Sequence, residues 1–228
     1  MKLSHRLSAI NSLVNEPYDV VWDCCCDHGL LGMAILKREI AKKVVFVDIV
    51  PELMNELSNT LACYADSNSS SQWQVQCKDV ASIELTPGTK QLVIIAGVGG
   101  ELLLRLMQKI IANHDLQTLK QLSFIICPVH HTYMLRRGLE QLGLGLVSEQ
   151  IIIEKKRFYE LLHVSFKSTI PIEPTGCSMW DLTDKHHQQY LKTLIEHYTR
   201  MTKNEPAYYE QVIADYKQLN LVKTNRAV

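Results

Sequence analysis

The chain has 228 residues, 46% of them hydrophobic and 21% charged, which suits one sizeable core plus an appendage and excludes a disordered chain. Lysine and arginine (24) balance aspartate and glutamate (24), so no global field draws the protein to nucleic acid and any RNA contact has to come from a local patch. No apolar run approaches bilayer length, and the leading MKLSHRLSAINSLVNE has no signal-peptide core, so a cytoplasmic protein without membrane association is expected.

Residues 3–14 carry Leu3, Leu7, Ile10, Leu13 and Val14 at helical spacing. Five short apolar runs come next: 18–23, 43–48, 74–79, 91–96 and 122–127. The first three end in aspartate, the fourth in glycines and the fifth at Pro128. Helical patterns at 30–37, 51–64, 101–113 and 131–142 lie between or after them. Strands alternating with helices predict a parallel sheet covered on both faces. The stretches 144–153 and 158–166, joined by Glu154-Lys-Lys-Arg157, predict an antiparallel hairpin, because so short a link cannot cross over. The expected fold is therefore a sheet of five parallel strands plus an antiparallel hairpin, filling residues 1–170; by analogy at the level of the fold, that ending resembles a Rossmann-like class I methyltransferase rather than a dinucleotide dehydrogenase. Pro171 and Pro174 mark a linker, and 184–203 and 205–219 predict a helical hairpin within a C-terminal extension at 178–228. The stretch 67–71 reads as a short polar loop.

There are seven cysteines and no CxxC pair. Cys24, Cys25 and Cys26 are consecutive, which suits reduced thiols better than a disulfide framework, and no metal site is expected.

In an open parallel sheet, ligands bind beyond the carboxyl ends of the strands. Asp23-Cys-Cys-Cys-Asp-His-Gly29 continues from the first strand with small residues that let a ligand approach the backbone, and Asp23 or Asp27 could meet an ammonium. Asp48, 25 residues on, stands where an acid accepts ribose hydroxyls; the alternative is a helix-start aspartate before Pro51. Asp79 could take an adenine amine; in isolation an exposed turn is the better reading. Ala96-Gly-Val-Gly-Gly100 opens directly into a helix, and three glycines within four residues make room and free N–H groups at the centre of the cleft. A branched side chain at Gly99 is expected to take the volume of an incoming ring. His130 and His131 read as a loop lining the cleft rather than metal ligands.

Together these residues resemble the TrmK family of tRNA adenine-N1 methyltransferases. The matching pieces are Leu3-Ser-His-Arg-Leu7, Asp23-Cys-Cys-Cys-Asp-His28, Ile95-Ala-Gly-Val-Gly-Gly100, Pro128, Leu135-Arg136 and Phe158-Tyr-Glu160, in order along nearly the whole chain. The family's first-loop glycine is replaced by Cys25, and Val98 stands where the family often has Met. The resemblance implies S-adenosyl-L-methionine as cofactor, held by Arg6, Asp23, Cys25, Asp27, His28, Gly29, Asp48, Asp79, Ala96 and Gly97. It implies a catalytic set of Asp27, Gly97, Val98, Gly99 and Gly100. It also implies tRNA as substrate, for a monomer or homodimer. The alternatives are a methyltransferase of a small molecule or protein, and a decayed Rossmann-like binding protein.

Overall fold

The computed structural model describes residues 2–64 and 72–222; the polar stretch 67–71 lies outside them. The chain divides into two compact units, Met1–Ile172 and Glu173–Val228. The first opens with helix α1 (His5–Leu13), capped by the Ser4 hydroxyl, which accepts the Leu7 N–H. Strands and helices then alternate: β1 (Tyr18–Cys24), α2 (Leu30–Leu36), β2 (Ala41–Asp48), α3 (Pro51–Tyr64), β3 (Trp73–Cys77), β4 (Gln91–Ala96), α4 (Gly100–Ala112), the short α5 (Leu116–Leu119), β5 (Leu122–Cys127) and α6 (Thr132–Gln141). The hairpin β6 (Gly145–Glu154) and β7 (Arg157–Ser165) closes the unit.

The strand order is β3-β2-β1-β4-β5-β7-β6. β1 to β5 are parallel, and β7 runs antiparallel between β5 and β6. The hairpin turns at Lys155 and Lys156, both at positive φ (48° and 65°), as a type I′ turn requires. The runs of the central strands are continuously apolar because both faces are covered. On β4, Val93 and Ile95 pack under α4 and α6, whereas Leu92 and Ile94 face α1, α2 and α3. Strand order reverses between β1 and β4, and that switch point is where a cleft opens at the carboxyl ends.

A buried charge cluster ties α6 to the hairpin. Arg136 is fully buried; its Nε donates to Glu160 Oε2 and its Nη1 to Glu149 Oε2, each at 2.7 Å. The two carboxylates outweigh the desolvation that opposes the guanidinium charge. Glu149 stands on β6 and Glu160 on β7, so one side chain fixes the helix against both strands of the hairpin.

The second unit contains α7 (Lys185–Met201) and α8 (Pro206–Val222). Asp184 caps α7 by accepting the His186 N–H. Tyrosines form its interior: Tyr198 stacks on Tyr209 and on Tyr216, with centroids 6.0 and 5.8 Å apart. Trp180 stacks on Tyr190 at 5.6 Å and donates its Nε1–H to Thr175 O. Among the described residues no helix is long and apolar enough to cross a membrane.

Arg136→Ala removes the cation between two buried carboxylates and is expected to cost about 3–5 kcal/mol of stability. Urea denaturation measures it; a loss near zero would show that the carboxylates protonate without consequence.

Candidate active site

The parallel register brings the ends of β1, β2 and β4 to one level, with Cys24 beside Val47 on one side and Ile95 on the other. The loop after β1 winds tightly. Cys26 N–H donates to Val47 O, Gly29 N–H donates to Cys26 O, and Cys25, Asp27 and Gly29 all take positive φ (54°, 50° and 67°). Two of these are side chains in a region that L-residues enter at a cost.

Asp23 is buried, 4% exposed, and turned away from the loop: its Oδ2 accepts the Gly32 N–H at 2.8 Å. The approach needs glycine, since a Cβ at Gly32 would sit 2.3 Å from Phe46 Cε1 and 2.9 Å from Asp23 Oδ2. Burial pushes the Asp23 carboxyl up to about 7, against the pull of the Gly32 hydrogen bond, and Asp48 adds to the rise.

Asp48 has the opposite situation. Its Oδ1 accepts the N–H groups of Ile49 and Val50 at 2.7 and 3.2 Å, and its Oδ2 accepts that of Asp27 at 3.1 Å. A carboxylate has roughly four acceptor positions, so these three bonds leave one on Oδ2 for a hydroxyl. The helix-start reading of Asp48 thus holds, since it orders the start of α3, and one acceptor position stays open on its Oδ2. Asp79 accepts the Ala81 N–H at 2.9 Å and caps the short 3₁₀ turn Val80–Ser82.

Between these loops and α4 lies a cavity of about 440 Å³, lined by Cys25, Asp48, Ile49, Asp79, Val80, Ala81, Leu102, Arg105, Leu106 and Lys109. Ile49 (67% exposed) and Leu102 are exposed apolar side chains on its walls. Asp48 and Asp79 stand on the sheet side, and Arg105 and Lys109 on the helix side. The size, the apolar walls and the acids suit an adenosyl group: a flat base between aliphatic surfaces and hydroxyls at Asp48. Burial, with Asp48 and Asp23 close by, pushes the Cys25 thiol up to about 11, so it forms a neutral wall.

The glycine turn lies between the end of β4 and the start of α4. Gly97 takes φ 85° and faces open space, while its N–H donates to Cys127 O at 3.1 Å. Val98 packs against the core beside α4, and Gly100 N–H donates to His130 O. The expectation for Gly99 changes. Its φ is −70°, and a Cβ there would meet the His130 ring, 2.4 Å from Cε1, before any incoming base. His130 in turn stands edge-on to His131 at 4.3 Å, and His131 Nδ1 lies 3.0 Å from Glu101 Oε1, a charge contact without hydrogen-bond alignment.

Of the other residues expected from sequence, Asp27 and His28 are exposed at the rim, with His28 Nε2 3.6 Å from Asp27 Oδ1. Ala96 ends β4 at the turn. Arg6 does not line the adenosyl-sized cavity. Its guanidinium lies 4.8 Å over the Tyr159 ring, and its backbone N–H donates to Glu154 Oε1, which puts it with the hairpin. Sequence reasoning missed Ile49, Val80, Leu102, Arg105 and Lys109. Ile49 alone left a signal, an apolar residue between a strand-end acid and a helix-start proline. Among the described residues, no group of three or more His, Cys, Asp or Glu could hold a metal ion.

The sheet order and the cleft beyond its carboxyl ends define a Rossmann-like methyltransferase fold. A methyltransferase-domain family model matches residues 3–162, and the chain belongs to that family. Solved structures share the fold. TrmK of B. subtilis, an m1A22 tRNA methyltransferase, is 16% identical, with 98% of each chain covered and a TM-score of 0.74. TrmK of M. capricolum, in complex with S-adenosyl-homocysteine, is 17% identical, covering 96% of this chain and 98% of its own, at 0.73. Magnesium protoporphyrin IX methyltransferase of Synechocystis PCC 6803, with bound SAM, is 14% identical, covering 71% of this chain and 79% of its own, at 0.55. No curated protein matches the chain in sequence.

This geometry has two measurable consequences. Asp23 has a folded-state value raised above its unfolded one, so its contribution to stability is full below pH about 4 and is lost as pH rises through about 7. Asp23→Asn should therefore remove a falling slope of stability between those limits; parallel pH profiles of variant and parent in urea melts would reject the buried neutral acid. Cys25→Gly relieves a left-handed side chain but loses its packing and adds unfolded-state freedom, so a gain of about 0.5–1 kcal/mol is expected. A loss on denaturation would show that the thiol's contacts outweigh the backbone cost.

Proposed function

We propose that the protein transfers a methyl group from S-adenosyl-L-methionine to N1 of an adenosine in tRNA. The observation that carries the reading is the cavity beyond β1, β2 and β3, with apolar walls at Ile49, Val80 and Leu102 and a free acceptor position on Asp48. Leu102 in the first turn of α4 lines that cavity, and the Gly97 turn, open on one side, immediately precedes that helix. The TrmK likenesses extend over 96–98% of the chain, well past the 71% shared with the protoporphyrin enzyme, and so take in the C-terminal helical hairpin. That favours an RNA substrate over a small one. Asp48, Asp79 and Cys25 would surround the adenosyl group, and Gly97 to Gly100 would stand beside the target base.

The cofactor supplies an electrophilic methyl on a sulfonium. Adenine N1 carries a lone pair in its neutral form, so the protein need supply no general base. Its task is placement: the turn at Gly97 leaves room for a flat ring, and in-line approach within about 3–3.5 Å accounts for most of the rate. The target base must leave its stack to enter, at a cost of a few kcal/mol. An exposed carboxylate such as Asp27, in the loop after β1, would offset the positive charge that the methylated ring acquires. Arg105 and Lys109 on α4 add local positive charge to a chain that is neutral overall.

The test is incubation of the purified protein with S-adenosyl-L-methionine and unmodified tRNA, then nucleoside mass spectrometry. 1-Methyladenosine is the expected product. Cofactor binding without any methylated nucleoside would overturn the tRNA reading and leave a methyltransferase of another substrate. Asp48→Ala is expected to weaken cofactor binding about tenfold or more, since hydrogen bonds to charged groups are worth about 1.5–3 kcal/mol. Unchanged affinity in titration calorimetry would remove Asp48 from the site.

A further inference from the structure

A second cavity opens at the opposite end of the sheet, at the amino ends of the parallel strands. It measures about 400 Å³ and is distinct in every lining residue from the adenosyl-sized one. Glu16 precedes β1, Lys90 precedes β4, Lys120 and Ser123 flank the start of β5, and His163 and Lys167 stand at the end of β7. Because β7 runs antiparallel, its carboxyl end reaches this pole, and the cluster is drawn from four strands.

Its charges are unequal. Lys90 Nζ pairs with Glu16 Oε2 at 2.7 Å and lies over the Tyr18 ring, and Lys167 Nζ donates to Gln121 Oε1 at 2.9 Å. Lys120 makes no ion pair among the described residues and is exposed at the rim. Three ammonium groups therefore face one carboxylate, an excess in a chain whose net charge is zero. The floor holds a second, independent feature. His163 is 7% exposed, and its Nε2 is buried with no hydrogen-bond partner among the described residues. Burial pushes this imidazole below its usual range, while Glu16 draws it up and Lys90 down, so it is neutral near pH 7. A neutral imidazole nitrogen can donate to an oxyanion. Buried polar groups are ordinarily satisfied, and one left over in a concave site marks a place for a ligand atom. Beside Ser165 and Ser168, the remaining wall presents two exposed apolar side chains, Val147 (45% exposed) and Ile170 (56% exposed).

We infer that this cavity is a binding site for a small organic phosphate, its anionic head held by Lys120, Lys167 and His163 and its body lying on Val147 and Ile170. The lysines supply the attraction, His163 gives the head a directed hydrogen bond, and the apolar wall accounts for selection of an organic ester over the free ion. The site shares no residue with the proposed methyl-transfer cleft, so either can be present without the other.

The experiment titrates the full-length protein with phenyl phosphate, inorganic phosphate and phenol, read by calorimetry and by nitrogen-15 spectra of the histidine rings. His163→Asn assigns the His163 signals. Phenyl phosphate is expected to bind, to shift the His163 ring resonances, and to bind more tightly than either half. The double variant Lys120→Ala, Lys167→Ala should keep its fold, because both side chains are exposed. It should weaken phenyl phosphate binding about tenfold or more while leaving affinity for S-adenosyl-L-methionine unchanged. No binding at millimolar phenyl phosphate, binding that leaves the His163 ring unmoved, or equal affinity in the double variant would each overturn the proposal. Displacement of bound phenyl phosphate by unmodified tRNA would overturn the small ligand in favour of an RNA backbone phosphate.

Discussion

The cleft depends on the Asp48 carboxylate. It gathers three backbone N–H groups, one from the loop after β1 and two from the start of α3. Strand pairing alone brings Cys24 level with Val47, but it does not govern the path of the chain beyond the last paired residue. The loop after β1 bends through Cys25 and Asp27 at positive φ, and the hydrogen bond from Asp27 to Asp48 stabilises that bend. With the loop so placed, Cys25 and Ile49 become neighbouring walls of one cavity. The acceptor position left on Oδ2 is then part of a surface held by hydrogen bonds within the protein. Preorganisation of this kind lowers the ordering cost of binding.

The second half of the sheet is braced differently. The antiparallel hairpin packs against α6 through Leu146, Leu162 and Val164 in one core with Leu135 and Leu139, and that contact also contains a polar tie. Arg136 supplies it by reaching Glu149 on β6 and Glu160 on β7. The same helix begins at His131, which sits at φ 60° directly after the loop that backs the glycine turn. Gly100 donates to His130 O, and Val129 N–H donates to Val98 O. The chain of contacts therefore runs from the hairpin through α6 to the turn at the centre of the cleft. A buried ion cluster is weak evidence for net stability, but it does specify one relative placement of the elements it joins.

Much of this is legible in the residues. β4 and β5 begin and end where their continuous apolar runs do, because both faces of each are buried. β3 differs from its apolar run: only Trp73–Cys77 forms the strand, and Asp79 lies beyond, where it caps a 3₁₀ turn that leaves no periodic trace. α5, four residues long, is too short for a helical period to register. The resemblance picks out Arg136 and Glu160 as separate motif pieces, and the structure shows them to be hydrogen-bonded to each other. Glu149 is invisible in sequence, since a single acid in an alternating strand looks like a solvated one. The same limit applies to Asp23 and Asp48. Both end strands and both read as cleft acids, yet one is buried against Gly32 and near-neutral while the other accepts three N–H groups. Which way a strand-end side chain turns depends on packing several elements away, here on Phe46 and the missing Cβ of Gly32.

That difference between the two acids bears on the proposed chemistry. A methyl transfer to a ring nitrogen bearing a lone pair requires no proton to be removed first, so a strong base at the centre of the cleft would add nothing. Asp23, the acid with the raised value, is buried and committed to Gly32. Asp48 accepts three backbone N–H groups, an arrangement that fixes its carboxylate in place. What remains beside the turn is shape: an open face at Gly97, a ring at His130 packed so closely against Gly99 that any side chain there would displace it, and Val98 anchored in the core. An active site that works by placement tolerates unusual residues in its loops provided their backbone path is kept. Cys25 illustrates this, occupying a left-handed position that glycine would take without cost, in a loop whose course is enforced by Val47 and Asp48.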